Sequence, residues 1–349
     1  MYNRLLKILC SCLLGATALS ISFIAQAERT IHFYQNQSVT VPDKPEKIAT
    51  SWNAHNAILA MLGAGDKIVS TTDLVKTIPF FTEIVPAIKT ASISSKGNND
   101  TLNIETLIMS QPEIFFTTGK LSDPQSVALK NAGIAVVTLK SGSMDALLKR
   151  TLITGDILGN ESHQLAQDYL IYFERNKVLV SNAVSDIAKK APMKVYHAFG
   201  APLRTSGSPS LNHDWITTLA GGVNIAEHWF DTVPSRAGEV ALEQIIHADP
   251  DVIVTMYAKD ADTIKNDPHW QSITAVREGR VYTNPKGLFW WCRETTEEAL
   301  QFVWLATLLY PEQTRQIDIE NETKQFYQTF FNIKLNDKQL RFILTPIDD

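Results

Sequence analysis

The middle of the chain contains a stretch, residues 162–189, that has neither glycine nor proline and whose apolar periodicity is helical. At about 1.5 Å per residue, a helix of this length extends roughly 40 Å. That is the length of a whole domain, and it exceeds what a connection between neighbouring elements needs. A shorter helical stretch precedes it from about Met144, with an interruption at Gly159-Asn160. The sequence therefore predicts linking helices over 144–190 that join two folded bodies rigidly.

Short apolar strands alternate with helices before this stretch. Strands are predicted at 47–50, 67–71, 113–117 and 134–139, and helices at 54–62, 104–109 and 125–131. Strands with such continuous apolar runs are typical of a parallel sheet that is covered on both faces by helices.

The same alternation returns after Pro192. Strands are predicted at 194–199, 251–256 and 280–283, and helices at 215–220, 242–247 and 295–309. The segment ETLIMSQPEIFFT of the first half reappears as EQIIHADPDVIVT in the second. The predicted fold is therefore α/β, with two α/β lobes of mostly parallel sheets (28–143 and 191–349) joined by one long rigid helix.

The first 27 residues have the pattern of a cleaved signal peptide. Two basic residues precede an apolar run from about 8 to 24, and Ala25-Gln26-Ala27 forms an Ala-x-Ala cleavage site. Export to the periplasm is predicted, with a mature chain that begins at Glu28. A lipid anchor fits less well, because Cys10 and Cys12 lie at the wrong end of the apolar run. Only Cys292 then remains, which excludes an internal disulfide.

The charge balance argues against nucleic-acid or anionic-membrane binding. The chain has 32 Lys+Arg and 37 Asp+Glu, and the predicted signal peptide takes two basic residues and no acidic ones with it. The mature chain is mildly acidic, whereas such partners attract basic surfaces. The sequence also lacks a Gly-x-Ser-x-Gly elbow and a phosphate-binding loop, so a periplasmic hydrolase is only a remote alternative.

Three segments carry a family resemblance through their order and spacing. They are PDKPEKIATSWNAHNAILAMLGAGDKIVST (42–71), LNIETLIMSQPEIFFT (102–117) and LRTSGSPSLNHDWITTLAGGVNIA (203–226). Together they resemble ABC-transporter solute-binding proteins of the helix-linked class, which carry ferric siderophores, haem, cobalamin or related metal complexes. The resemblance implies a monomeric binding protein without enzymatic activity or a cofactor of its own. It also implies delivery to an inner-membrane permease dimer.

The segment GLFWWCRETTEEAL (287–300) is predicted to form part of a cleft between the lobes. In this fold the ligand lies at loops on the carboxyl ends of the strands. Two adjacent tryptophans cannot both face one core from a regular element. One of Trp290 and Trp291 is therefore predicted in the core and the other in the cleft. Trp52 is a similar candidate, and Trp229 is either a cleft residue or a lid packed on itself.

Three arginines on predicted cleft loops of the second lobe indicate an anionic ligand. Arg204, Arg236 and Arg293 each have an ordinary alternative as a surface ion pair, but guanidinium groups bind carboxylates, catecholates and oxoanions bidentately. The remaining candidate ligand residues, on other loops, are Ser95, Lys96 and Tyr257.

The favoured ligand is an anionic metal complex such as a ferric siderophore, because large aromatic faces suit a bulky chelate. A small oxoanion such as molybdate or tungstate is the nearest alternative. Haem or cobalamin also stays open, with Tyr257 or a histidine as the axial contact. The sequence has no HExxH motif or tight Cys/His cluster, so no metal site is predicted.

Glu105 and Glu243 occupy matching places in the two echoed segments. The resemblance implies that an acidic residue at this place on each lobe docks on arginine pockets of the permease dimer. Two exposed carboxylates held apart by a rigid spacer also suit a two-fold symmetric basic partner. The ordinary alternative is a helix-start carboxylate favoured by the macrodipole.

Overall fold

The computed structural model describes residues 27–97 and 99–347. The predicted signal peptide lies outside these residues, apart from Ala27. In the described part of the chain, no helix has both the length and the apolar character that crossing a membrane requires.

The first lobe is built on a five-stranded parallel sheet with the strand order β5-β4-β3-β6-β7. An antiparallel hairpin of β1 and β2 precedes it. The elements are β1 (Glu28–Phe33), β2 (Gln37–Pro42), β3 (Ile48–Thr50), α1 (His55–Met61), β4 (Ile68–Thr72), α2 (Pro79–Ile84), β5 (Ser92–Ser95), α3 (Ile104–Met109), β6 (Ile114–Thr118), α4 (Asp123–Asn131) and β7 (Ala135–Leu139).

Two helices link the lobes, α5 (Met144–Leu158) and α6 (Asn160–Lys190). They separate at Gly159, whose φ of 121° and ψ of −179° lie in a region that glycine alone adopts readily. Helix α6 has 31 residues, which corresponds to roughly 45 Å. Its buried face carries Tyr169, Phe173, Val180 and Val184. The long rigid helix predicted from the sequence is thus present, with one or two additional residues at each end.

The second lobe repeats the connectivity of the first. Its four-stranded parallel sheet has the order β10-β8-β12-β13, which corresponds to β4-β3-β6-β7. The elements are β8 (Lys194–Ala198), β9 (Arg204–Ser206), α7 (Leu211–His213), a π-helical segment (Asp214–Leu219), β10 (Val223–Asn224), β11 (Ala237–Glu239), α8 (Leu242–Ala248), β12 (Val252–Thr255), α9 (Ala258–Asn266), α10 (Thr274–Arg277), β13 (Val281–Thr283), α11 (Glu298–Leu309), α12 (Ile319–Phe331) and α13 (Asp337–Leu344). The predicted fold class is confirmed.

One apolar core runs through both lobes and the linking helices. It contains Phe116 of the first lobe, Phe173 of α6 and Trp291 of the second lobe. The last two helices extend this contact, because Phe80 of α2 packs against Tyr327 of α12, with ring centroids 5.5 Å apart. The end of the chain therefore contacts the first lobe, although the sequence predicts that 191–349 forms the second. The lobe boundaries stay a prediction.

Candidate ligand-binding cleft

A cavity of about 470 Å³ lies between the two lobes. The first lobe contributes Trp52, Asn53, Ala54 and Gly97, and Gly142 precedes the linking helices. The second lobe contributes Phe199, Ser206, Phe289, and the segments 209–212, 234–237 and 292–294. A larger depression of about 710 Å³ is lined by residues 37–138 of the first lobe alone, including Lys120 and Lys130. Of these two, it is the smaller cavity that has walls from both lobes, as capture between lobes requires.

The structure brings three of the ten predicted ligand residues to this cavity. Trp52, Arg236 and Arg293 line its wall. The other seven do not line it: Ser95, Lys96, Arg204, Trp229, Tyr257, Trp290 and Trp291. The Ser95 hydroxyl accepts a hydrogen bond from the Gly97 N–H at 3.0 Å, and Lys96 is exposed. Arg204 is also exposed, whereas Trp229 packs against the second-lobe core.

Neither tryptophan of the pair faces the cavity. Trp290 is 4% exposed and Trp291 is fully buried. Trp290 packs edge-on against Tyr257, with centroids 5.5 Å apart, and the ammonium group of Lys286 lies 4.0 Å from its ring. The expectation of one tryptophan in the cleft is therefore not met, and Phe289 and Cys292 line the wall instead.

A tight turn explains why Phe289 and Cys292 line the wall and the two tryptophans do not. The Gly287 N–H donates to the Phe289 carbonyl at 3.0 Å, and the Trp291 N–H donates to the Pro285 carbonyl at 3.0 Å. Lys286 and Trp290 form an isolated antiparallel bridge. The chain thus reverses between 286 and 291, which turns both indoles inward.

Gly287 is required by its surroundings. A Cβ atom there would lie 2.0 Å from the hydroxyl oxygen of Tyr327 and 2.5 Å from Oε1 of Glu297. The fully buried Glu297 carboxylate accepts hydrogen bonds from the Tyr327 hydroxyl at 2.7 Å and from the Leu288 N–H at 2.6 Å. A buried carboxylate of α11's N-cap and a tyrosine of α12 therefore hold the turn against the second lobe.

Gly287→Ala should lower the free energy of unfolding by about 3 kcal/mol, because overpacking costs typically 1–3 kcal/mol and the hydrogen bond of a buried carboxylate is displaced as well. Guanidinium unfolding followed by far-ultraviolet circular dichroism measures this. Gly279→Ala is the matched control: its Cβ meets no atom within 4 Å and only the positive φ of 67° is strained. Equal losses in the two variants would contradict the steric argument. The loss should also shrink in a Tyr327→Phe background.

Arg293 is the arginine on the cavity wall whose guanidinium is available to a ligand. Its guanidinium lies over the Phe199 ring, 4.6 Å from the centroid. Within residues 27–97 and 99–347, no protein acceptor forms a hydrogen bond or ion pair with this guanidinium. Arg236 differs, because its Nη1 donates to the Asp231 carbonyl at 2.9 Å and lies 3.3 Å from Oδ1 of Asp231. Arg293 therefore retains its full hydrogen-bonding capacity for an anion in the cavity.

A buried arginine, which the sequence reasoning missed, supports the same wall. Arg150 of α5 is fully buried, and its Nη1 and Nη2 donate to Oε2 and to the carbonyl of Glu294, at 2.8 and 2.6 Å. Its guanidinium also lies 4.3 Å from the centroid of the Trp52 ring. The signal in the sequence is an arginine at helical spacing among Leu147, Thr151 and Thr154, all of which are buried.

Glu294 is fixed at four points. Besides the two bonds from Arg150, its Oε1 accepts the Gly142 N–H at 3.0 Å, and its own N–H donates to Oε2 of Glu298 at 2.8 Å. Its backbone has a φ of 58°. Burial raises the pKa of Glu298 well above its ordinary value, and the nearby Glu294 raises it further. Burial therefore disfavours the charged form of Glu298, whereas Glu294 is the carboxylate that Arg150 holds in an ion pair.

Two histidines are buried behind the cavity wall. Burial lowers the pKa of His55 to about 3, with a further contribution from the charge of Arg150. Burial also lowers the pKa of His197 to about 3, with a contribution from Arg293. His55 stacks on Trp52 and His197 lies edge-on to Trp215. Both are neutral packing groups, and among the described residues no three His, Cys, Asp or Glu side chains form a cluster that could hold a metal.

Small polar groups form the second-lobe side of the cavity. Ser210 donates to the Gly207 carbonyl at 2.6 Å, and Asn212 Nδ2 donates to Oγ of Ser206 at 2.8 Å. Asn212 Oδ1 in turn accepts the Nε1–H of the fully buried Trp215 at 3.1 Å. These bonds fix the positions of the hydroxyl and amide groups before a ligand binds, which reduces the ordering cost of binding.

Glu105 and Glu243 lie outside the cavity, on equivalent helices of the two lobes. Each is exposed and is the second residue of its helix, α3 or α8. Each helix directly precedes the corresponding central strand, β6 or β12. The two carboxylates therefore occupy equivalent positions in the connectivity of the lobes.

A sequence profile of the family described as periplasmic binding protein matches residues 48–288. The chain belongs to this family. Its members are substrate-binding proteins of ABC transporters rather than enzymes, and they act in the periplasm with a cognate permease. The family predicted from the three sequence segments is thus confirmed.

This periplasmic binding protein has a full-length relative among curated proteins. The molybdate-binding protein MolA of Haemophilus influenzae is 25% identical over an alignment covering 94% of this chain and 97% of MolA. A molybdate-bound structure of MolA has a TM-score of 0.76 at 21% identity, covering 88% of this chain and 99% of that one.

Other solved structures share the fold. A periplasmic solute-binding protein from Veillonella parvula has a TM-score of 0.78 at 23% identity, covering 91% of this chain and 97% of that one. The nickel–histidine complex of CeuE from Helicobacter pylori has a TM-score of 0.70 at 18% identity, covering 91% and 99%.

Proposed function

We propose that this binding protein captures a small oxoanion, such as molybdate or tungstate, between its two lobes. The observation that carries the proposal is the guanidinium of Arg293 on the cavity wall, which has no protein acceptor among the described residues. Charge-assisted hydrogen bonds from a guanidinium suit an oxoanion, and the fixed groups around Ser206, Ser210 and Asn212 provide further polar contacts.

The similarity to MolA supports this choice over a ferric siderophore. MolA is named for molybdate and aligns with nearly the whole chain. The aromatic pair Trp290 and Trp291 would suit a bulky chelate, but these side chains are buried away from the cavity. We therefore favour the oxoanion, because the arginines suit an oxoanion as well as they suit an anionic chelate.

A bulky anionic chelate, such as a ferric siderophore, is the second candidate. The cavity measures about 470 Å³, and the rings of Trp52, Phe199 and Phe289 line it. Haem and cobalamin are less well supported, because Tyr257 does not line the cavity and the imidazoles of His55 and His197 are buried behind its wall.

Delivery to the permease would use the exposed carboxylates of Glu105 and Glu243. Their equivalent positions in the two lobes suit a partner with two-fold symmetry and basic pockets. The continuous core around α6 supports small relative movement of the lobes, so that the separation of the two carboxylates stays nearly constant. The proposed binding protein acts as a monomer on a permease dimer.

Calorimetric titration of the protein with molybdate, tungstate, sulfate and a ferric catecholate tests the proposal. We expect saturable binding of molybdate and tungstate, with a Kd at least tenfold lower than that of the ferric catecholate. Tighter binding of the ferric catecholate, with no response to molybdate, would contradict the oxoanion proposal and support the bulky anionic chelate as the ligand. Trp52 on the wall provides an independent fluorescence signal.

A further inference from the structure

A carboxylate on the wall of an anion-binding cavity needs an explanation. Glu294 lines the cavity beside Arg293, and its side chain is 19% exposed. An unpaired negative charge at this place would repel an anion and oppose the attraction by Arg293. Its charge must therefore be compensated from within the protein.

Arg150 provides this compensation from the buried side. Its two terminal nitrogens hold Glu294 at 2.8 and 2.6 Å, and the contact with Trp52 holds the same guanidinium against the first lobe. No other cation forms an ion pair with Glu294 among residues 27–97 and 99–347. Arg293 is turned toward Phe199 instead. The Arg150 side chain of α5 thus contacts one cavity residue of each lobe, Trp52 of the first and Glu294 of the second.

We propose that Arg150 is a positioning residue that sets the charge preference of the cleft: it neutralises Glu294 and thereby leaves the positive charge of Arg293 to the ligand. This inference rests on the proposed binding of an anion. It adds that preference for anions depends on a buried residue of α5, which lies outside the cavity wall. Loss of Arg150 would leave Glu294 as an uncompensated carboxylate and convert an attractive wall into a nearly neutral one.

Four variants separate this role from simple packing. Arg150→Met removes the charge and keeps much of the side-chain length, and we expect at least a tenfold increase in the Kd for molybdate. Arg150→Met with Glu294→Gln removes both charges and should return the Kd to within about threefold of the wild type. Arg150→Lys keeps the charge and should stay within about threefold. Glu294→Gln alone removes the negative charge beside Arg293 and should lower the Kd for molybdate below that of the wild type.

Rescue by the double variant is the deciding observation. If Arg150 serves only to pack on Trp52, the single and double Met variants lose affinity equally, and the inference is wrong. Unchanged affinity in Arg150→Met would also overturn it while leaving the oxoanion proposal intact. Thermal unfolding verifies that each variant folds. If Arg150→Met does not fold, weaker binding by Glu294→Gln than by the wild type would overturn the inference.

Quenching of Trp52 fluorescence by anions and cations measures the charge at the cavity wall without any bound ligand. In a Trp229→Phe background, Trp52 is the only tryptophan of the described residues that is not buried. Arg150→Met should lower quenching by iodide at least twofold and raise quenching by caesium, and the added Glu294→Gln should reverse both changes. Equal quenching in all variants would refute the charge role even if the wild type binds none of the tested anions. If the wild type binds none of the tested anions, the calorimetric titration refutes the oxoanion proposal, whatever the quenching shows.

Discussion

A protein that carries both Glu105→Arg and Glu243→Arg should bind its ligand with unchanged affinity and support no uptake. Both side chains are exposed and lie away from the cavity, so the cleft keeps all its contacts. On the permease, two like charges would replace two attractive ones, and like-charge juxtaposition at an interface costs several kcal/mol. The measurements are the Kd by calorimetry and the accumulation of labelled oxoanion in proteoliposomes that contain the permease.

The matched control is Glu161→Arg with Glu320→Arg. These two glutamates are also exposed and also lie in the first turns of helices, α6 and α12. Both double variants therefore lose a similar favourable interaction with helix dipoles, about 0.3–1 kcal/mol per site. We expect normal uptake with the control pair. Equal loss of uptake in both pairs would indicate a general charge effect, and loss of ligand affinity in the first pair would contradict docking as its function.

The fold was accessible from the sequence because its main elements depend on local patterns. Helix α6 was predicted over 162–189 and is found over Asn160–Lys190, since uninterrupted periodicity and the break at Gly159 both act locally. The packing of α12 and α13 could not be predicted, because it depends on distant contacts, although their N-caps Asp318 and Asn336 are local signals. Helices α12 and α13 are stabilised by packing on α2 of the first lobe, as the contacts of Phe80 with Tyr327 and Phe342 illustrate.

The cavity wall was accessible only in part, for a related reason. The loop sequence predicted Arg293 and Trp52 near the cleft, because parallel strands direct their carboxyl ends to one edge, and both line the cavity between the lobes. Which neighbour faces outward in the turn at 286–291 depends on the close approach of Gly287 to Tyr327, forty residues away in sequence. The place of Arg150 depends on Glu294, 144 residues away. Local periodicity carries no information about either contact.

Arg293→Ala should weaken ligand binding more than any other single arginine substitution on the wall. A hydrogen bond to a charged group contributes about 1.5–3 kcal/mol, which corresponds to roughly 10- to 150-fold in Kd. The effect should be near the upper end, because the guanidinium is partly buried against Phe199 and pays little ordering cost on binding. Calorimetry with molybdate measures it, and the thermal midpoint of the free protein should change little.

Two other arginines of the same lobe are the controls for this prediction. Arg204→Ala should leave the Kd unchanged, because Arg204 is exposed and does not line the cavity. Arg236→Ala should raise it by less than about fivefold, because this guanidinium is already engaged by Asp231 and is partly solvated. The order Arg293, Arg236, Arg204 thus follows from how much of each guanidinium is left for the ligand. An anion that responds to Arg204→Ala but not to Arg293→Ala would bind elsewhere on the second lobe, and the cavity between the lobes would then not be its site.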